Sequence, residues 1–177
     1  MHLPMEPESF PENNPGVHAL LMQMSSDTIK QKYIENLKGV PGIVGVNNHM
    51  GSRLTADYEK MQQVLSLTKQ AGLFFVDSYT TPHSVVKSIA DELSMPYIQN
   101  EVFLDIKDDK VSIEKQINVL IKKVNKQGRV VAIGHVQSKA LPSALKKALP
   151  RFKEEGITLV YITEIVDDIK SIQKERK

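Results

Sequence analysis

The sequence predicts an α/β protein with mostly parallel strands, and three observations carry that expectation. Apolar runs of four to seven residues alternate with amphipathic stretches of 10 to 17 residues, five times over, the rhythm of strand-helix-strand units. The runs are near-continuously apolar, as strands buried in a parallel sheet are. No hairpin signal joins any two of them.

In chain order, the first 26 residues are rich in Pro, Asn and Met and read as a strand end followed by a long loop. Ser26 is placed as the cap of a helix with Ile29, Tyr33 and Leu37 on one face, closed by Gly39 to Gly42. Strand Ile43–Val46 follows. Thr55 is placed as the cap of a helix from about Ala56, with Tyr58, Met61, Val64, Leu65 and Thr68 at helical spacing and Gly72 stopping it. Leu73 to Val76 is a strand ending at Asp77-Ser78. Thr81 and Pro82 suit the N-cap and first position of a helix with Val85, Val86, Ile89 and Leu93 inward. Tyr97 to Asp105 is extended, Asp108-Asp109 makes a turn, and Ser112 is placed as the cap of a helix with Ile113, Ile117, Leu120, Ile121 and Val124 inward, closed by Gly128. Arg129 to His135 is a buried-type strand. A helix spans Pro142 to Glu155 with Leu145, Leu149 and Phe152 inward, and Pro150 should bend or end it. Ile157 to Ile162 is the last strand, followed by a short amphipathic helix.

Composition narrows the function classes. At 177 residues, 41% hydrophobic and 25% charged, one domain covering 1–177 with a sizeable core is expected. The 23 basic and 21 acidic residues are well mixed, which argues against a nucleic-acid partner. Basic residues gather from Lys170 to Lys177 as a solvated terminus. There is no cysteine, so a metal site must be built from His, Asp and Glu. No apolar run approaches the ~18 residues of a membrane span, and no signal-peptide pattern precedes Met1. Gly-x-Gly-x-x-Gly and Gly-Lys-Ser/Thr are absent, which argues against a nucleotide site.

The stretch Gly45-Val46-Asn47-Asn48-His49-Met50-Gly51-Ser52 organises the functional reading. An apolar strand ending in polar side chains before a helix is how α/β proteins present chemistry. The strand ends carry His2 with Glu6, Asn47-Asn48-His49, Asp77-Ser78, Asp105, His135 and Glu164. In a parallel arrangement these share one rim, which gathers three of the five histidines. Singly, each has a plainer role: a turn residue, a hydrogen-bond partner, a cap at Asp77, a solvated carboxylate at Asp105. His18 and His83 read as structural. A divalent ion on His2, Glu6 and His49 would activate water and polarise a carbonyl. An Asp would serve as base and a His as acid to the leaving amine.

His2-Leu3-Pro4-Met5-Glu6-Pro7, Gly45-Val46-Asn47-Asn48-His49-Met50-Gly51-Ser52, Phe74-Phe75-Val76-Asp77-Ser78, Val102-Phe103-Leu104-Asp105 and Ala132-Ile133-Gly134-His135 occur in an order and spacing that resembles the divergent polysaccharide deacetylase family, related to carbohydrate deacetylases with a NodB-like distorted (β/α) barrel. The resemblance runs through nearly the whole chain. It implies that His2 and His49 are metal ligands, most naturally of zinc, with Glu6 in place of the second His of the His-x-x-x-His motif of the better-known deacetylases. It also implies that His135 is a general acid oriented or tuned by Asp77, and that Asn48 and Ser52 bind substrate or hold the ligands. Family members open with an Ile-Asp-Asp strand that supplies a metal-binding Asp and the base. This chain starts at the His-Leu-Pro motif, so its barrel is expected to lack its first strands. Before the Phe-Leu-Asp segment stands Asn100-Glu101 where many relatives have Arg, and Val136-Gln137-Ser138 follows His135.

The leading expectation is therefore a metal-dependent N-deacetylase of an envelope polysaccharide such as peptidoglycan, placed outside the cytoplasm or in the cell envelope by the resemblance. The alternative is a degenerate relative that binds glycan or protein partners without hydrolysis, in which Asn47 and Asn48 act as sugar-binding amides. A third is an unrelated α/β domain with no active site.

Overall fold

The computed structural model describes residues 1–175. Of the basic terminus, Arg176 and Lys177 lie outside the described residues. The fold is α/β, with every paired strand parallel and six α-helices among the described residues. The strands form an open four-stranded sheet, order β1-β2-β3-β4, and a separate pair, β5-β6. No closed sheet forms among them, so the expected barrel is not seen as a ring of paired strands. The chain divides into two compact units, Met1–Gln99 with the chain from Val166 onward, and Asn100–Ile165.

In the first unit, β1 (His2–Met5), β2 (Gly45–Met50), β3 (Phe74–Asp77) and β4 (Tyr97–Gln99) are joined through α1 (Ser26–Lys38), α2 (Tyr58–Gln70) and α3 (Val86–Glu92). Register determines what each strand residue can touch. His2 pairs with Asn47 and Pro4 with His49, while Val46 pairs with Phe75. Because side chains alternate across a strand, Leu3, Met5, Val46, Asn48, Phe75 and Asp77 share one face, and His2, Pro4, Asn47 and His49 the other. The first face joins Ile29 and Tyr33 of α1, Met61, Val64 and Leu65 of α2, and Val86 and Ile89 of α3 in one core. A buried hydrogen bond of 2.8 Å between the Tyr33 and Thr68 hydroxyls ties α1 to α2. Gly45 leaves room for the Phe74 ring where β2 meets β3: a Cβ there would lie 2.2 Å from that ring.

In the second unit, β5 (Val102–Phe103) and β6 (Ala132–Ile133) pack with α4 (Lys110–Gln127) and α5 (Leu141–Glu154) around Val102, Ile113, Ile117, Ile121, Leu141 and Phe152. The described chain finishes in α6 (Ile162–Glu175).

Several boundaries differ from the sequence expectation, each for a local reason. β2 is Gly45–Met50, so Asn47, Asn48 and His49 lie inside the strand. Ser25, not Ser26, caps α1. Thr55 cannot cap α2 because its hydroxyl donates to the Gly51 carbonyl at 2.8 Å; Asp57 accepts from the Lys60 amide instead. Asp109 likewise replaces Ser112, whose amide it accepts. α3 starts at Val86 because Thr81 is held in a turn, its hydroxyl accepting from the His83 amide and its carbonyl from that of Ser84. Tyr97 to Asp105 is two strands, broken where the Asn100 side chain turns back to the Val102 amide. In α5, which runs through Pro150, Leu141, Ala148 and Phe152 are buried and Leu149 is exposed. Ile157 to Ile162 is not a strand. No strand pairs with it among the described residues, Leu159 and Tyr161 are exposed, and the Tyr161 amide is taken by the Glu164 carboxylate. An apolar run becomes a strand only with a neighbour to satisfy its amides and carbonyls.

Candidate functional site

Two histidine centres emerge, one in each unit. In the first, β1 and β2 lie side by side with His2 and His49 on the same face. Their rings approach with centroids 4.8 Å apart and planes tilted by 59°, bringing His49 Nδ1 to 3.1 Å from His2 Nε2. One nitrogen donates to the other, with roles set by tautomer. Two imidazole ligands of a tetrahedral zinc, at 2.0–2.1 Å each, stand about 3.3 Å apart. The observed spacing is close to that bite, so the donor pair suits two positions of a divalent ion. Among the described residues no group of three His, Asp or Glu gathers to complete a metal site.

Glu6 does not join the pair. One carboxylate oxygen, Oε1, accepts from Arg53 Nη1 at 2.9 Å, and Oε2 accepts from the Met22 amide at 2.8 Å. Its side chain is 4% exposed. Here Glu6 anchors the long loop after β1, a structural role that the His-x-x-x-Glu spacing could not distinguish from ligation.

Asn48 and Asp77 point to the helix-covered face, away from the imidazoles. Asn48 is fully buried; its Oδ1 accepts from the Ser78 amide, and its Nδ2 donates to the Met50 carbonyl. The amide therefore ties the ends of β2 and β3 rather than offering itself to a ligand. Asp77, also fully buried, accepts from the Ser84 hydroxyl at 2.6 Å and from the Tyr79 amide at 2.8 Å. Burial pushes its pKa up, against the opposing pull of the Ser84 and Tyr79 hydrogen bonds. The Ser52 hydroxyl accepts from the Glu8 amide at 2.9 Å and pins the same long loop. Met50 and Tyr79, just at or past these strand ends, adopt left-handed backbone with φ of 53°, conformations that non-glycine residues hold only where surroundings impose them. Asn47 is the amide that shares the histidines' face; its Nδ2 donates to the Ser78 hydroxyl at 3.2 Å.

In the second unit, β5 and β6 carry Asp105 and His135 just past their ends. His135 Nδ1 lies 2.9 Å from Asp105 Oδ1, and the His135 amide donates to Oδ2 at 2.7 Å. The Asp105 side chain is 2% exposed and that of His135 53%. The Phe103 ring lies parallel to the imidazole at 6.4 Å. An ionised carboxylate only accepts, so Nδ1 carries the proton in this pair and Nε2 is the nitrogen left for chemistry. A ring so oriented can exchange protons with a ligand. Asp105, expected to be solvated, is thus the carboxylate bonded to His135. No local signal joins Asp105 to His135, because residues at the ends of two strands meet only once those strands are known to be neighbours.

A family model described as divergent polysaccharide deacetylase matches residues 1–166. An uncharacterized protein of Escherichia coli (strain K12), YibQ, is 34% identical over 135 residues, 76% of this chain and 42% of that protein. An uncharacterized protein of Haemophilus influenzae is 31% identical over 160 residues, 90% of this chain and 56% of that one. The chain thus spans about half the length of these relatives. The crystal structure of uncharacterized protein ATU2773 from Agrobacterium tumefaciens C58 is similar in fold, with a TM-score of 0.88 at 23% identity, covering 93% of this chain and 67% of that one.

Proposed function

The chain belongs to the divergent polysaccharide deacetylase family, and from that premise we propose that it is part of a metal-dependent amide hydrolase removing acetyl groups from an envelope polysaccharide. The observation that carries the proposal is the His2–His49 pair, whose nitrogens stand 3.1 Å apart, near the spacing two ligands of one zinc require. In this reading His2 and His49 would hold the ion, with one carboxylate completing the ligand set and a second serving as base. A divalent ion supplies Lewis acidity and an activated water when bound. His135, its ring held through Nδ1 by Asp105, is the candidate general acid: once protonated at Nε2 as well, it would give that proton to an amine leaving group. Asn47, on the face of the imidazoles, is the amide best placed to meet a sugar. The proposal extends to a NodB-like barrel as the parent architecture and to action at the cell envelope.

Zinc content and acetate release from N-acetylated glycan are measured on the native protein and its His49→Ala form. Loss of both in the variant is expected; equal turnover by the two proteins sinks the proposal. A second reading is favoured by one observation, that the Asn47 side-chain amide lies on the imidazoles' face: a glycan-binding relative without hydrolysis. Glycan retention that survives a chelator, with no acetate released, supports that reading instead.

A further inference from the structure

We propose that the cleft between α4 and α5 binds a small soluble organic anion, an oxyanion group carried on a short apolar body. Lys110, Glu114 and Ile117 recur at helical spacing on α4, and Ala144, Lys147, Ala148 and Arg151 do so on α5, so each set lies along one helix face. The alanines leave room where larger side chains would close the helices together. The result is a cleft of about 390 Å³, within the size range of small-molecule sites. Its floor is apolar, formed by Ile117 and Ala148, both buried.

The walls are cationic. Glu114 sits 3.6 Å from Lys147, but among the described residues no ion pair engages Lys110 or Arg151. Arg151 is not loose: its Nη1 donates to Asn118 Oδ1 across the helix pair. A guanidinium held by a neutral partner keeps its full charge and its remaining donors, the planar fork that suits an oxyanion. Three cations against one carboxylate select an anion, and the apolar floor favours one with a hydrocarbon body over a bare hydrated ion.

The test is calorimetric titration in low-salt buffer with n-hexyl phosphate, inorganic phosphate and n-hexanol as probes. Hexyl phosphate should saturate a single site, with inorganic phosphate and hexanol each at least about tenfold weaker. Lys110→Gln and Arg151→Gln, changes at cleft walls outside the core, should each weaken hexyl phosphate about tenfold, the loss of one charge-assisted contact. Ala144→Leu, which fills the cleft, should abolish saturation with the far-UV spectrum unchanged. Absence of saturation in the wild type overturns the proposal. So does unaltered affinity in both charge variants, or inorganic phosphate binding as tightly as its hexyl ester.

Discussion

Replacing Glu6 by Ala separates a structural carboxylate from a metal ligand. The side chain is 4% exposed and accepts two hydrogen bonds, from Arg53 at 2.9 Å and from the Met22 amide at 2.8 Å. Bonds to an ionised group contribute roughly 1.5–3 kcal/mol each. Arg53 is 55% exposed, so water reclaims much of its share when Glu6 is gone. The net cost is then roughly 2–4 kcal/mol. In a chain of this size each kcal/mol moves Tm by about 2–4 °C, so the midpoint should fall by roughly 5–15 °C. Thermal melting followed by circular dichroism reads the shift. Zinc titration of the still-folded variant at low temperature reads the metal site, and affinity within about twofold of wild type is expected, under about a third of the roughly 1.4 kcal/mol that a tenfold change represents, given a ligand set that excludes Glu6. A variant with an unchanged midpoint and lost zinc binding would show that Glu6 ligates and that the Arg53 pairing is incidental.

Other changes test other parts of the structure. Asp105→Asn should leave stability near wild type and cut acetate release roughly 10²-fold or more by freeing the His135 ring; full activity would remove Asp105 from the proposal. Asp77→Asn keeps an acceptor for the Tyr79 amide and a donor toward Ser84, but it cannot ionise. Burial raises the folded pKa of Asp77 above the ordinary aspartate value, so the unfolded chain releases its proton first. Stability from this group is full below the ordinary carboxylate range and declines as pH rises through the raised folded value. Denaturant midpoints of Asp77→Asn should therefore gain on wild type from acid toward neutral pH, and parallel profiles would contradict this. Gly45→Ala should cost about 1–3 kcal/mol by forcing the Phe74 ring from a position 2.2 Å from the new Cβ; urea unfolding with no change in midpoint would show that the ring moves aside without penalty.

The inner faces of α2 and α4 were legible because helical periodicity is local: Met61, Val64, Leu65 and Thr68 are all buried, as are Ile113, Ile117, Leu120 and Ile121. The parallel α/β class followed from the same kind of evidence, continuous apolar runs separated by amphipathic ones. The histidines were singled out by their place near strand ends, and His2 and His49 do meet. Pairings between strands were not legible, since they depend on register and on which strands are neighbours. Moving one residue along a strand exchanges its faces, which is why Asn48 is buried beneath the helices while Asn47 and His49 lie on the opposite side. The same long-range geometry gave His135 to Asp105, gave Glu6 to Arg53, and left Ile157 to Ile162 without a partner strand. Chain-local chemistry thus settled which segments coil and which extend, and only the packed sheet could decide which polar side chains meet and which are taken up by the frame, because hydrogen bonds between distant segments exist only after their strands align.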